Sequence, residues 1–543
     1  MTQRPDADGE LREAARNLGR RRFLTVAGAA MALAFGTNLP NAAQAVQKLN
    51  PMSIGKDPFR LGVASGDPEP DSVVLWTRLA PEPYEPDSGL PAEAVPVSWE
   101  VAKDKDFQQV VTHGEETAHP EWHHSVHAVP DGLEPQTTYY YRFRTGDWTS
   151  PVARTRTAPS ATADLAKARF VLSACQAYHQ GYYTAWKHVA AEEDIDAVLF
   201  LGDYLYEYAV TSDGGDRNDP DLDLPARFNK KTMTLEDYRL RYGLFHLDED
   251  LQAAHHAHPF ILTWDDHEIE NNYAGDVAQD GTDGEEFLRR KAAAYRAYYE
   301  NLPLRPPQQP NGPRATLYRR FQWGSLAQLD VLDGRQNRDD QVPGDGWLVP
   351  TKATADPKRT MLGFDQEQWF AEGLQQSTAL WNVVPQQTIL ARRHMQLKAP
   401  FKLSMDAWDG YPAARDRFMK AVKDAGVANL VVLTGDVHVQ YAIDLKEDYD
   451  DPKSKTTGVE VVVTSISSNG NGKPHPDDWE VFMKANPHLK FYNGQRGYIV
   501  MTLDRQQMRA DYRTVANVTS RGGGVETTAS YVSKAGDPGL KPA

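Results

Sequence analysis

The sequence predicts an α/β domain preceded by a small β-sandwich, and three observations carry that prediction. Residues 58–157 read as short strands of alternating character broken by turn residues. From about residue 168 the pattern changes to continuous apolar runs separated by helical stretches, the mark of a sheet covered on both faces. Four of those runs stop at side chains able to ligate metal ions, and in such sheets the strand ends build the site.

Residues 1–45 read as an export signal. Arg20-Arg21-Arg22-Phe23-Leu24 opens an apolar stretch that ends at Phe35, and Ala43-Gln44-Ala45 supplies an A-x-A exit. The 13 apolar or small residues from Phe23 to Phe35 fall short of the roughly 20 that a membrane-spanning helix needs. Paired arginines followed by x-Phe-Leu, with a weakly hydrophobic core, point to the twin-arginine export machinery, which carries proteins already folded. Cleavage after Ala45 leaves about 500 residues, more than one hydrophobic core usually serves. The net charge of −16 excludes a nucleic-acid-binding surface, which would need clustered Lys and Arg to neutralise phosphates. No cysteine stands near the cleavage site to take a lipid, so a secreted or cell-envelope protein with no transmembrane segment in the mature chain is expected.

The sandwich strands are expected near 72–78, 95–101 and 138–144. The run 133–142, Leu-Glu-Pro-Gln-Thr-Thr-Tyr-Tyr-Tyr-Arg, resembles the corner before a late strand in fibronectin type III-like modules. Such modules hold or orient other domains, and no chemistry is assigned here. His123, His124 and His127 are expected to be surface histidines, because neighbours on an alternating strand face opposite ways and cannot share an ion.

The second region supplies strands near 169–173, 197–201, 260–264, 326–332 and 430–434. The first runs into Ser173-Ala174-Cys175-Gln176, the second into Gly202-Asp203-Tyr204-Leu205-Tyr206. The third runs into Asp265-Asp266-His267-Glu268 with Asn271-Asn272, and the last into Gly435-Asp436-Val437-His438. Each residue alone has an ordinary explanation as a cap or a packed side chain; four coincidences at strand ends point to a metal site. Asp203 and Tyr206, three apart after a strand, can aim a carboxylate and a phenol at one point. Asp436 and His438, two apart in extended chain, face one side. Asp203 has two oxygens and can bridge two ions. Oxygen donors such as Asp265, Asp266 and Asn272 suit calcium, magnesium or manganese. Two cations a few ångströms apart clamp a phosphoryl group and activate water.

Cys175 is the only cysteine. In an exported chain it cannot pair internally, which leaves an inert core thiol, an intermolecular bridge, a nucleophile or a metal ligand. Its place at a strand end, in line with Asp203, Tyr206 and His438, favours the ligand.

Together with Leu61-Gly62-Val63-Ala64-Ser65-Gly66-Asp67-Pro68, Leu332-Asp333-Gly334-Arg335-Gln336-Asn337-Arg338 and Asp406-Ala407-Trp408-Asp409-Gly410-Tyr411-Pro412, these segments resemble, in order along nearly the whole chain, the alkaline phosphatase D (PhoD-like) family of metallophosphoesterases. The resemblance implies a fibronectin-like β-sandwich over 58–157, a metallophosphoesterase αββα sandwich over 168–520 and a C-terminal tail over 521–543. It implies a ferric ion held by Cys175, Asp203, Tyr206 and His438. Asp203 would bridge to calcium, completed by Asp436, Asn272 and one of Asp265 or Asp266, with one or two calcium ions in all. Asp265-Asp266-His267-Glu268 stands where the wider superfamily has G-N-H-E, and Gly435-Asp436-Val437-His438 where it has G-H-x-H. The harder ligand set shifts the second ion toward calcium.

The activity so implied is hydrolysis of phosphodiesters and phosphomonoesters, phospholipid or teichoic-type polymers among them, by in-line attack of a metal-activated hydroxide. His267 is the candidate to protonate the leaving oxygen. Arg335 either contacts the phosphate or pairs with Asp333. The segment Trp408-Asp409-Gly410-Tyr411 is a pocket wall or a packed loop. Two other classes stay open: an extracellular binding protein with an inert α/β domain, and an iron redox enzyme.

Overall fold

Side chains alternate across the strands that are apolar throughout, and both faces of each strand are covered. In Lys167–Ser173, Phe170 and Leu172 enter one buried cluster while Val171 enters another; Leu199 and Val198 divide the same way in Ala197–Phe200. A strand apolar at every position is what two covered faces require. The structure, a computed structural model, describes residues 54–451 and 453–543; the export signal expected over 1–45 lies outside the described residues.

Lys167–Ser173, Ala197–Phe200 and Phe260–Leu262 run parallel in the middle of a ten-stranded mixed sheet. A seven-stranded sheet contains Ala327–Val331, Trp381–Pro385 and Leu430–Thr434, also parallel. The two sheets share one core, where Phe170, Leu172, Leu199 and Met501 meet Trp323, Leu329, Val431 and Val461. Helices Thr184–Ala190, Leu235–His246, Glu249–Ala257 and Gly284–Asn301 contribute to the cluster on the other face of the ten-stranded sheet. Phe364–Gln376, Pro412–Asp424 and Trp479–Ala485 do the same for the seven-stranded sheet. Among the described residues no helix is long and apolar enough to cross a membrane.

The N-terminal strands form a five-stranded sheet of their own around Val95–Ala102 and Thr138–Thr145, whose burial alternates as the sequence pattern requires. At the corner before Thr138–Thr145 the Tyr139 hydroxyl accepts from the Glu134 N–H at 2.9 Å. The facing strands Val63–Gly66, Val74–Arg78 and Ser125–Ala128 do not end as a separate sheet. They continue the ten-stranded one, with Gly66 paired to Phe260.

That continuity corrects the expectation for the three histidines. His123 and His124 are buried, and both adopt left-handed backbone, φ 54° and 53°, in a turn rather than a strand. His123 meets Arg78 and Ser88, and a ring nitrogen of His124 lies 2.9 Å from the Glu93 carbonyl. His127 stacks on Tyr299 at 4.4 Å and reaches the Tyr299 carbonyl at 2.9 Å. The outer face of these strands is covered by the helix Gly284–Asn301, so residues that would be surface on a free module become an internal seam. The expected tail, 521–543, is likewise structured: Val525–Lys534 and Asp537–Pro542 are the last two strands of the ten-stranded sheet, and Tyr531 and Leu540 enter the core between the sheets. The β-branched residues in the run from Val525 to Lys534 favour a strand there.

Candidate metal centre

Each strand end that the sequence marks turns sharply into the space above the two sheets. Cys175, Asp203, Asn272, Asp436 and His438 all have positive φ, between 53° and 63°. A left-handed conformation costs a non-glycine residue of order 1 kcal/mol or more, and such residues gather where the surroundings fix them for function. Backbone bonds lash the loops together: Cys175 N–H donates to the Gly202 carbonyl and Gln176 N–H to the Asp203 carbonyl, both at 3.0 Å.

Two groups of ligand atoms result, Cys175 with Asp203 and His438, and Asp203 with Asp266 and His267; within each the atoms lie inside 4.8 Å of one another. Asp203 belongs to both. The Tyr206 hydroxyl donates to Asp203 Oδ2 at 3.0 Å and lies 3.1 Å from His438 Nε2. Ser468 Oγ donates to Tyr206 Oη at 2.8 Å. The Asn469 amide nitrogen lies 2.9 Å from His438 Nδ1 and donates to it, which fixes the plane of the imidazole.

Around the second group, Asp266 accepts from His267 N–H at 2.9 Å and Asn272 N–H at 2.6 Å. The Asn272 amide nitrogen donates to Asp345 at 2.8 Å, which leaves its oxygen free. His267 Nδ1 sits 2.8 Å from Glu207 Oε2, and the ring stacks on Tyr206 at 4.2 Å. Glu268, fully enclosed, accepts from the N–H groups of Asp203, Tyr204 and Asp265 at 3.2, 2.6 and 2.8 Å. Asp265 pairs with Arg335, whose buried guanidinium also reaches Asp406 at 2.9 Å, Asp436 at 3.5 Å and Asp266 at 3.7 Å. Arg335 makes only a backbone bond to Asp333, at 3.0 Å.

The electrostatics fit a cation. Burial pushes the Cys175 thiol, the Tyr206 phenol and the Asp203 carboxyl far above their ordinary ranges; Asp203 adds to the push on both Cys175 and Tyr206. Burial and neighbouring carboxylates raise Asp265 and Asp436 as well, against the pull of Arg335. Asp203 Oδ1 and Asp265 Oδ2 are buried with no hydrogen-bond partner. A cluster of acids that cannot ionise together unaided, with two orphaned oxygens, suits metal ions that supply the missing positive charge. Burial also holds His438 down to about 3, as a neutral ligand must be. Burial opposes protonation of His267, but Glu207, Asp266 and Asp203 overcome it and raise the group well above the ordinary histidine value.

The structure therefore brings together Cys175, Asp203, Tyr206 and His438 on one side, and Asp265, Asp266, His267, Asn272 and Asp436 on the other, with Arg335 behind the carboxylates. Sequence reasoning missed Glu207 and Glu268, although both lie inside the segments that carry ligands. It missed Asp406, which accepts from Arg335, Arg338 and Gln341. The neighbouring Trp408-Asp409-Gly410-Tyr411 segment is a packed loop: Trp408 Nε1 donates to Gln386 at 3.1 Å and Asp409 pairs with Arg415 at 2.6 Å. Ser468 and Asn469, in a polar turn, carry no sequence signal that would single them out.

A mixed α/β fold whose strand ends gather a thiol, a phenol, imidazoles and carboxylates around two adjoining positions defines a metal-dependent hydrolase. Comparison with known proteins sharpens the class: residues 170–512 match the PhoD-like phosphatase family, and residues 43–159 match its N-terminal domain. The chain belongs to the PhoD-like phosphatase family, and it is a phosphoesterase. It is 45% identical over 526 residues to alkaline phosphatase D of Bacillus subtilis (strain 168), across 96% of this chain and 88% of that protein. A solved structure described as that of PhoD superposes with a TM-score of 0.87 at 46% identity, covering 91% of this chain and 93% of that one. Neither an inert binding protein nor a redox enzyme is favoured by these findings.

Proposed function

We propose that the chain is an exported enzyme hydrolysing phosphodiesters, with phosphomonoesters alongside, at a centre of one ferric ion and one or two calcium ions. The layering of helices, two sheets and helices supports reading its main domain as a metallophosphoesterase αββα sandwich, and the strand alternation over 58–157 supports a fibronectin-like module. The observation that carries the proposal is Asp203, whose carboxylate belongs at once to the Cys175 and His438 group and to the Asp266 and His267 group. Cys175 and Tyr206, with Asp203 and His438, form a donor set suited to ferric iron, whereas Asp265, Asp266, Asn272 and Asp436 offer the oxygen donors calcium prefers. Such a pair of ions supplies positive charge to the phosphoryl oxygens and acidifies water.

The remaining steps belong to the chain. Ser468 and Asn469 set the orientation of Tyr206 and His438. Glu207 holds His267 by Nδ1, leaving Nε2 to face the carboxylates and give its proton to the leaving oxygen. A phosphate contact by Arg335 would compete with its carboxylate partners; its burial among Asp265, Asp406 and Asp436 favours a role in holding them ionised and in place. Export rests on Arg20-Arg21-Arg22-Phe23-Leu24 and the Ala43-Gln44-Ala45 exit, and a secreted protein beginning at Val46 would be the product. N-terminal sequencing that finds the intact signal on the extracellular protein would overturn this part.

The decisive experiment uses purified protein in calcium-containing buffer. It is expected to release nitrophenol from bis-p-nitrophenyl phosphate, to lose that activity on chelation, and to contain iron and calcium by elemental mass spectrometry. A fully metallated sample that turns over no phosphate ester sinks the proposal.

A further inference from the structure

Eight arginines are buried in the described residues, and their partners differ in a way that bears on the cleft. Arg217, Arg290, Arg335 and Arg338 pair with carboxylates. Arg241 and Arg496 donate to backbone carbonyls, and Arg78 meets His123. Arg393 has none of these, although it is only 4% exposed and its Nε is buried with no hydrogen-bond partner. A guanidinium has five N–H donors and no acceptor, and keeping one out of water without an anion is costly.

Its backbone shows how it is held. Arg393 N–H donates to Asp409 Oδ2 at 3.0 Å, and Leu390 and Ala391 donate to Glu460 at 2.8 and 2.9 Å. Glu460 also accepts from Thr434 Oγ1 at 2.7 Å, so the segment is pinned to the very strand end that leads into Asp436. The guanidinium lies over Trp347 at 5.4 Å and beside the Tyr441 ring at 5.8 Å. Its charge is among those acting on Asp436, whose side chain is 24% exposed and opens the centre to solvent.

We infer that Arg393 is the arginine that binds the phosphoryl oxygens of the substrate, on the Asp436 side of the centre. The inference rests on the two-cation reading above. Arg335, for which a phosphate contact is one of the two sequence readings, is already shared among carboxylates; Arg393 is the buried arginine whose guanidinium hydrogen-bonds to no carboxylate, carbonyl or imidazole. Trp347 and Tyr441 fix its plane, so two parallel N–H groups can meet two oxygens of a phosphate ester or of inorganic phosphate. The loop from Arg393 to Ser404, which closes a small two-stranded sheet against Trp347–Leu348, thereby helps to form the substrate site.

The test measures inorganic phosphate binding to the metal-loaded enzyme by calorimetry, beside turnover of bis-p-nitrophenyl phosphate and elemental analysis. Arg393→Gln is expected to bind phosphate about 10- to 100-fold more weakly, on the scale of a lost charge-assisted bidentate contact, with kcat/KM falling in parallel and metal content unchanged. Arg393→Lys is expected to keep part of both and still bind phosphate about 3-fold or more weaker than the wild type, because an ammonium is a point charge. If Arg393→Gln does not fold, Arg393→Lys decides. Phosphate affinity equal to wild type in a fully metallated variant overturns the inference, as does a loss that follows metal loss alone. Wild-type protein that turns over no ester would instead sink the parent reading.

Discussion

At the scale of single residues, Cys175 is the position where burial decides chemistry. A thiol enclosed beside Asp203, Asp436 and Asp265 is pushed away from ionisation by burial first and by those carboxylates next. It is therefore a poor nucleophile as it stands, and only a bound cation makes the thiolate favourable. That separates the metal-ligand reading from the nucleophile reading without appeal to position alone. If Cys175 and Tyr206 hold ferric iron, the pure protein is coloured by charge transfer from these ligands. Cys175→Ser is expected to bleach or shift the visible band, to lower bound iron well below one per chain, and to reduce kcat/KM by about 100-fold or more, the scale of losing a group on which transition-state charge depends. A colourless wild-type protein with stoichiometric iron would contradict the assignment.

At the scale of elements, strands were more legible than the loops that finish the site. The strand expected over 430–434 has those bounds in the structure, and those expected over 169–173 and 197–201 differ by two residues or fewer, because a strand buried on both faces writes an unbroken apolar run. The ligand-bearing turns were legible for a related reason: each follows its strand without a gap. Asp406 and Ser468 were not, because they enter the site from loops whose course depends on long-range packing. Strand Val525–Lys534 is not legible as part of the domain, because only its second half is buried and its partner strand is needed to show which face that is.

The turn at Gly202 makes a testable case of how closely these elements meet. Its φ is +110°, and a Cβ added there would lie 2.7 Å from the Asp265 backbone nitrogen. Gly202→Ala forces the Asp203 and Asp265 turns apart. It should cost about 2 kcal/mol or more from strain and overpacking together, with metal lost in step. Gly281→Ala is the control, since Gly281 has φ +77° but nothing within 4 Å of an added Cβ; it pays for backbone conformation alone, about 1 kcal/mol. Calorimetric midpoints and metal content that are equal in the two variants would show that the turns do not meet as described.

At the scale of the whole molecule, the N-terminal strands and the α/β region are joined through a shared sheet and a buried aromatic seam, and that seam has a cost in acid. Trp76 of strand Val74–Arg78 stacks on His246 of helix Leu235–His246 at 4.8 Å. Burial, aided by the Arg78 charge, holds His246 down to about 3, and burial holds His258 and His488 to about 4. In the unfolded chain these groups titrate near about 6.5. Their folded values are depressed, so the unfolded state binds more protons below that point; the stability they permit is complete above about pH 6.5 and declines as the pH falls toward the folded values. At pH 5 each group costs about 2 kcal/mol relative to pH 7.5. Metal release in acid acts in the same direction, so the midpoint shift of the wild type does not by itself identify the histidines. His246→Gln does: it removes one titrating group from the seam, and its stability is expected to depend less steeply on pH between 6.5 and 5, in chelated and in metal-loaded protein alike. Denaturant unfolding at four or five pH values reads the two slopes. Equal slopes for wild type and variant in the chelated state would mean that His246 is not held neutral in the fold, and the seam would then have to be packed more wetly than Trp76 and His246 are here.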